Sequence, residues 1–232
     1  MPLPDGVKTV ADRLRAARLS TEEDQVRWHV LRSFALGTVP RTIALAEQSG
    51  IPPAKDLLDL HRGDSRLAAL DLLLVDVTGE AVLAAYPFSA TPTSHRVRLI
   101  GRGVFALCAV DALGIPAMLQ ETASISSQCG YCELPVEIEA RPEQLTRYLP
   151  PEAVVWFPTS EDDCCPVAQS RCPNISFFCA SDHLEAWRNV NGQPPGLVLS
   201  LLEAFEEGRA IFGSLLVEKK LRLGRKRSWR SR

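Results

Sequence analysis

The most informative part of the sequence is SHRVRLIGRGVFALCAVDALGIPAML, residues 94–119. We expect a short extended piece at its start, then a turn at Gly101-Arg102-Gly103. A helix is predicted from about Arg102 to Leu113. Gly114 and Pro116 are expected to end it, because glycine and proline are common where helices stop.

Downstream of this stretch, the sequence predicts a mixed helix and sheet region. Four runs of strand type follow one another, separated by glycine, proline or charged turns: ETASISSQC, LPVEIEA, AVVWFPT and NISFFCAS. The segment GLVLSLLEAFEEGRAIFGSLL, residues 196–216, predicts a closing helix. Six of the seven cysteines belong to this downstream region, and the seventh, Cys108, lies within residues 94–119.

Upstream, the pattern is helical. A short helix is predicted within Val10–Leu19, and three more in TEEDQVRWHVLRSFALG, PRTIALAEQSG and IPPAKDLLDLHRG. Two apolar runs in residues 70–88 then predict a hairpin around Asp76-Val77-Thr78-Gly79. Three helices and a hairpin are typical of a winged helix-turn-helix. The candidate recognition helix, Pro53–Arg62, mixes acidic with basic residues, so a structural role is favoured over DNA binding.

Composition and charge narrow the class of protein. The 232 residues are 46% hydrophobic, which excludes a disordered chain. No apolar run approaches about 18 residues and no secretory signal is evident, so we expect a cytoplasmic protein without a membrane partner. Eight basic residues follow Val217–Glu218, leaving 18 basic against 28 acidic residues before them. This acidic body does not favour a nucleic-acid partner, and the basic tail is expected to be a solvated end.

The cysteines suggest thiol chemistry. An odd number of cysteines without an export signal argues for reduced thiols rather than disulfides. Cys108 and Asp111 are three positions apart on the predicted helix, where a carboxylate can take a proton from a thiol and return it. The spacing alone also fits a buried cysteine and a solvated aspartate. Cys172 lies in a polar turn, where we expect it to be accessible, and Cys179 in an apolar run is interpreted as a core residue.

Taken together, these motifs resemble the alkylmercury lyase (organomercurial lyase) family. The resemblance rests on VFALCAVDALGIPAML, Ser-Ser-x-Cys at Ser126 to Cys129, SRCPNISFFCAS, Trp187 and the closing segment, and it covers roughly residues 70–215. It implies that Cys108 and Cys172 are the catalytic cysteines, Asp111 the catalytic carboxylate and Cys129 a structural cysteine. Many members have a second cysteine where Pro173 stands.

The resemblance also implies an activity. Family members protonate the carbon–mercury bond of an organomercurial substrate, releasing a hydrocarbon and leaving Hg(II), with no tightly bound cofactor required. Thiolates suit this chemistry because mercury is a very soft acceptor. The resemblance implies that Cys108 and Cys172 bind the Hg(II) product and that Asp111 could be a further ligand. External thiols would release the Hg(II), and a mercuric reductase is expected to receive it.

Three further cysteines, Cys132, Cys164 and Cys165, have no counterpart in the family pattern. Cys129-Gly-Tyr-Cys132 is a C-x-x-C half-site for zinc, and Cys164-Cys165 could complete it, although adjacent ligands are strained around one tetrahedral ion. Auxiliary mercury-carrying thiols and simple structural cysteines are the alternatives. The four histidines have no ligand spacing among themselves, so we expect no histidine-based metal site.

We therefore predict an α+β protein in three parts: a helical, winged-helix-like region at residues 1–90, a mixed-sheet catalytic region of the alkylmercury lyase type at 91–218, and a basic tail at 219–232. The preferred function is an organomercurial lyase in mercury detoxification. One alternative is a thiol-based, metal-responsive DNA-binding regulator. Another is a relative of the lyases that acts on a different organometal.

Overall fold

The computed structural model describes residues 9–41, 65–159 and 167–216. The helices are α1 (Val10–Ala17), α2 (Thr21–Ala35), α3 (Arg66–Ala69), α4 (Ala109–Leu119), α5 (Val167–Ser170), α6 (Ser181–Val190) and α7 (Leu201–Phe212). The strands are β1 (Leu74–Val75), β2 (Val82–Ala85), β3 (Phe88–Ser89), β4 (Arg96–Leu99), β5 (Arg102–Ala106), β6 (Ala123–Gln128), β7 (Pro135–Arg141), β8 (Gln144–Leu149), β9 (Val154–Pro158), β10 (Phe177–Phe178) and β11 (Gly196–Ser200). Helices thus combine with antiparallel sheets, and the predicted α+β class is confirmed.

Helices α1 and α2 form where the sequence predicts them. Each begins with a capping box, in which a hydroxyl and an acidic side chain three residues later satisfy free backbone N–H groups: Thr9 with Asp12, and Ser20 with Glu23. The next two predicted helices lie mainly in residues 42–64, outside the described part of the chain.

The main sheet is antiparallel, with strand order β1-β2-β3-β5-β4-β6-β7-β8. The predicted hairpin is its β1–β2 edge, with Leu74 opposite Ala84. Because β3 connects this hairpin to β5, one sheet runs across residue 90. One hydrophobic core likewise extends from Val10 to Phe212. The winged-helix interpretation and the boundary at residue 90 stay predictions.

The helix predicted for Arg102–Leu113 is wrong in its position. Residues 102–106 form β5, which pairs with β4 through a hairpin whose turn contains Gly101 at φ +72°. The predicted turn at 101–103 is thus a turn at Ile100–Gly101 that leads directly into a strand, and the helix, α4, begins only at Ala109. Alternating burial of Val104 and Ala106 shows the period of two that marks a strand.

Helix α4 continues through Gly114 and Pro116 instead of stopping there. Its residues from Ala109 to Met118 are all buried, as expected for a helix that is apolar all round. It packs between the main sheet and α7. Gly114 belongs to this contact: a Cβ there would lie 2.7 Å from the Gly208 carbonyl oxygen and 2.4 Å from Phe212. Close helix packing, rather than termination, explains this glycine.

A second sheet has the order β10-β9-β11. It uses the predicted strand runs around Val154 and Phe177, while the other two runs supply β6 and β7 of the main sheet. The closing helix is shorter than predicted, because Gly196–Ser200 pairs with β9 as β11 before α7 begins. Within the described ranges, no helix is both long and apolar enough to cross a membrane.

Candidate active site

Cys108 lies at the junction between β5 and α4. It is the N-cap of the helix, with an extended backbone, and Asp111 is the third residue of the first turn. The main-chain N–H of Asp111 donates to Cys108 Sγ at 3.3 Å. The expected proximity of the two side chains is therefore found, but it results from capping geometry rather than from two positions inside a helix.

Cys172 reaches the same place from a different part of the fold. It begins a short 3₁₀ turn, Cys172–Asn174, between α5 and β10. The N–H of Ala109 donates to the Ile175 carbonyl at 3.0 Å, which fixes this turn against the start of α4. Ligand atoms of Cys108, Asp111 and Cys172 consequently lie within 4.8 Å of one another.

All three side chains are buried. Cys172 is only 4% exposed, so the expectation of an accessible thiol in a polar turn is wrong: the turn folds inward beneath α1 and α7. Asp111 is 5% exposed, and its Oδ2 has no hydrogen-bond partner among the described residues. A buried carboxyl oxygen without a partner is costly to ionise, and it leaves a position for a proton or a ligand.

Burial has the largest effect on the pKa of Asp111. It raises the pKa of this carboxyl from 3.8 to about 7, although the Cys108 thiol and the Arg13 charge both act to lower it. Near neutral pH the group therefore exchanges a proton readily, as a general acid or base must.

The two thiols hold their protons more firmly. Burial raises the pKa of Cys108 well above its ordinary value, and the neighbouring Cys172 and Asp111 raise it further. The hydrogen bond with Cys108 lowers the pKa of Cys172, but burial and the carboxylates of Asp111 and Asp71 outweigh it, so this pKa is also raised. In the free protein both groups are thiols, and they become thiolates when a metal displaces the proton.

Three polar residues beside the site, Arg13, Asp71 and Tyr86, do not belong to any sequence motif. Arg13 on α1 pairs with Asp71 at 3.4 Å and lies over the Tyr86 ring, 5.1 Å from its centroid. The Tyr86 hydroxyl donates to Asp71 at 3.0 Å. These residues are far from Cys108 and Cys172 in sequence, so only the fold reveals them.

The three groups open onto a pocket with a cavity volume of about 50 Å³. Its walls include Val10, Tyr86, Val110, Phe157, Ile175 and Phe212. Since α1 contributes Val10 and Arg13, the N-terminal region helps to form the site. A mostly apolar pocket with a few convergent polar groups is typical of a small-molecule site.

Comparison with known proteins gives a consistent result. A family model described as alkylmercury lyase matches residues 88–213. The alkylmercury lyases of Staphylococcus epidermidis and Bacillus cereus are each 30% identical to the chain, over 135 and 143 residues, or 58% and 62% of its length. These matches cover 61% and 63% of the relatives, so the chain spans less than two thirds of their length.

A solved structure extends the comparison to the fold. The mercury-bound form of MerB2 superposes with a TM-score of 0.73 at 25% sequence identity. The superposition covers 88% of this chain and 95% of that one. The similarity therefore includes most of the N-terminal region as well as the site.

Proposed function

Since this chain belongs to the alkylmercury lyase family, we propose that it is an organomercurial lyase that cleaves carbon–mercury bonds in mercury detoxification. The observation that carries the proposal is the buried group of Cys108, Asp111 and Cys172, whose ligand atoms lie within 4.8 Å of one another. Two soft ligands and one proton carrier are what protonolysis of such a bond needs.

The first step is capture of the metal. The Cys172 thiol displaces the leaving ligand X of R–Hg–X, forming a sulfur–mercury bond while its proton leaves with X as HX. The hydrogen bond with Cys108, which lowers the pKa of Cys172, favours this thiol as the first to react. The apolar side chains that line the same pocket, among them Val110 and Phe212, would contact the group R.

The second step supplies the proton. The Cys108 thiol passes its proton to the Asp111 carboxylate and binds mercury as a second thiolate. Asp111, now neutral, gives that proton to the carbon; the electron pair of the carbon–mercury bond forms the new C–H bond, and RH leaves. The pKa of Asp111, raised by burial to about 7, suits both transfers.

The product is Hg(II) held by two thiolates. External thiols remove it by exchange, returning one proton to each protein sulfur, and we expect a mercuric reductase to receive the metal. A reducing compartment such as the cytoplasm keeps the cysteines in the thiol form that this cycle requires; the five described cysteines are all free.

Turnover of phenylmercury tests the proposal. With excess external thiol, the chain should release benzene and Hg(II) in equal amounts, measured by gas chromatography and mercury analysis. Asp111→Asn should reduce benzene release at least 100-fold, because general acid catalysis contributes about 10²–10⁴. Glu152→Gln, which changes an exposed carboxylate, should not alter it. Absence of benzene from the unaltered protein would overturn the proposal.

A further inference from the structure

A second cluster of metal-ligating side chains lies outside the active site. It consists of Cys129, Cys132, Cys179 and His183, whose ligand atoms all lie within 4.8 Å of one another. None of the four belongs to the catalytic group. We propose that this cluster is a structural zinc site with three thiolate ligands and one imidazole.

The distances lie within about 0.5 Å of those expected around a tetrahedral zinc ion. With bonds of about 2.3 Å to sulfur and 2.0–2.1 Å to nitrogen, ligand atoms should be about 3.8 Å apart for two sulfurs and about 3.5 Å apart for sulfur and nitrogen. Cys132 Sγ and Cys179 Sγ are 3.7 Å apart. His183 Nδ1 lies 3.0, 3.1 and 3.9 Å from the sulfurs of Cys179, Cys132 and Cys129.

The first two ligands come from the turn between β6 and β7. The main-chain N–H of Glu133 donates to the Cys129 carbonyl at 3.0 Å, and Glu133 has a positive φ of 60°. This reversal brings the sulfurs of Cys129 and Cys132 to the same side. The C-x-x-C spacing is a common zinc half-site.

The other two ligands come from the start of α6. Cys179 follows β10 directly, and His183 is in the first turn of the helix, four residues later, so both side chains face the β6–β7 turn. The Gly130 N–H donates to the Phe177 carbonyl at 2.9 Å, which joins the two half-sites through the backbone. Cys179 is therefore more than the core residue that the sequence indicated.

The proposal differs from two expectations about metal binding. His183 is a ligand in it although the histidines lack ligand spacing among themselves, because its partners are cysteines: Cys179, four residues earlier, and the distant Cys129 and Cys132. The C-x-x-C finds its second half at Cys179 and His183, while Cys164 and Cys165, the pair considered from sequence, lie outside the described residues.

Four protein ligands leave no open coordination position, which is typical of a structural rather than a catalytic zinc. The ion would close a small separate core that contains Trp156, Phe178 and Leu184. It would also connect the main sheet to the segment between Cys172 and Cys179, supporting the turn that carries a catalytic thiol. A filled site keeps three spare thiolates from trapping the soft mercury substrate.

Metal analysis of the full-length protein tests this inference. We expect about one zinc per chain after purification, and tetrahedral Co(II) bands with sulfur-to-cobalt charge transfer when Co(II) replaces zinc in the reduced protein. Cys132→Ser, which changes an exposed ligand, should lower zinc content and Co(II) affinity at least tenfold. The double variant Cys108→Ser/Cys172→Ser is the matched control and should keep both signals.

Three results would overturn the inference. One is a wild-type protein that contains no zinc and gives no tetrahedral Co(II) spectrum. Another is loss of both signals in the Cys108→Ser/Cys172→Ser control with retention in Cys132→Ser, which would assign the metal to the catalytic group. The third is a cluster that takes up Hg(II) during turnover but never zinc. The wild-type Co(II) titration decides the matter even where a variant fails to fold.

Discussion

The main-chain N–H of Asp111 donates a hydrogen bond to the sulfur of Cys108 at 3.3 Å, so Cys108 caps the helix in whose first turn Asp111 lies. A helix N-terminus favours negative charge on the capping atom. Here burial outweighs that effect, and the pKa of Cys108 is raised. Under the proposed mechanism, the N-terminus of α4 would stabilise the Cys108 thiolate once mercury replaces the thiol proton.

Asp111 is predicted to destabilise the fold at high pH. The folded protein holds its proton up to about pH 7, whereas the unfolded chain releases it near 3.8. The folded state binds more protons between these values, so stability falls as the pH rises from about 4 to about 7. Asp111→Asn should therefore raise the free energy of unfolding at pH 8 by up to about 4 kcal/mol.

This gain in the free energy of unfolding should shrink to less than about 1 kcal/mol near pH 4, where Asp111 is protonated in the folded state and about half ionised in the unfolded chain. Urea unfolding at both pH values, with Glu152→Gln as an exposed control, measures it. An equal gain at pH 4 and pH 8 would contradict a role for ionisation.

His95 should produce the opposite pH dependence. It is buried, its Nδ1 lies 3.0 Å from the Ser127 hydroxyl, and burial lowers its pKa to about 4. The unfolded chain takes up this proton from about pH 6.5 downward, so stability is lost as the pH falls from 6.5 towards 4. His95→Gln should flatten that loss in the same urea experiments. A variant as acid-sensitive as the wild type would show that another group is responsible.

Arg13, on α1, should affect the pKa of Asp111. Its charge lowers the pKa of Asp111, so Arg13→Met should raise that pKa and move the acidic limb of the single-turnover pH profile upward. Rates below pH 7 should fall several-fold, because less carboxylate is available to accept the thiol proton. Arg13→Lys keeps the charge and should restore most of the profile. A uniform loss across all pH values in Arg13→Met would indicate a packing effect instead.

The contact between α4 and α7 should tolerate no added methyl group. A Cβ on Gly114 would lie 2.7 Å from the Gly208 carbonyl oxygen, so Gly114→Ala should destabilise the fold by about 1–3 kcal/mol. At Gly103 the nearest atom would be 3.7 Å away, and Gly103→Ala should stay within about 0.5 kcal/mol of the wild type. Equal unfolding midpoints for the two variants would disprove close packing at Gly114.

The fold was predictable where local signals agreed. Apolar residues at helical spacing located α1 and α2, and turn residues located the β1–β2 hairpin. The prediction failed at Arg102–Leu113, where an apolar run fits a buried strand as well as a helix. Residues 102–106 form a strand because they pair with β4, and this pairing is not visible in the local sequence pattern. The edge strand β8 was missed because its residues are mostly exposed and carry little apolar pattern.

The candidate site was predictable only in part. Cys108, Asp111 and Cys172 were identified through their motifs, and the structure brings them together. Asp71 and Tyr86 carry no motif, because their contribution is a hydrogen bond between distant segments. His183 was not predicted as a ligand, because the histidines have no ligand spacing among themselves and the C-x-x-C pair, Cys129 and Cys132, is about 50 residues away along the chain.

A single turnover of phenylmercury bound to the protein in D₂O tests most directly whether Asp111 delivers the proton to carbon. Transfer of the exchangeable proton on Asp111 to carbon predicts benzene with one deuterium, one equivalent per site, and Hg(II) retained by Cys108 and Cys172. Asp111→Asn should bind phenylmercury and release no benzene within the same time. Undiminished release of benzene by Asp111→Asn or by Cys172→Ser would contradict the mechanism.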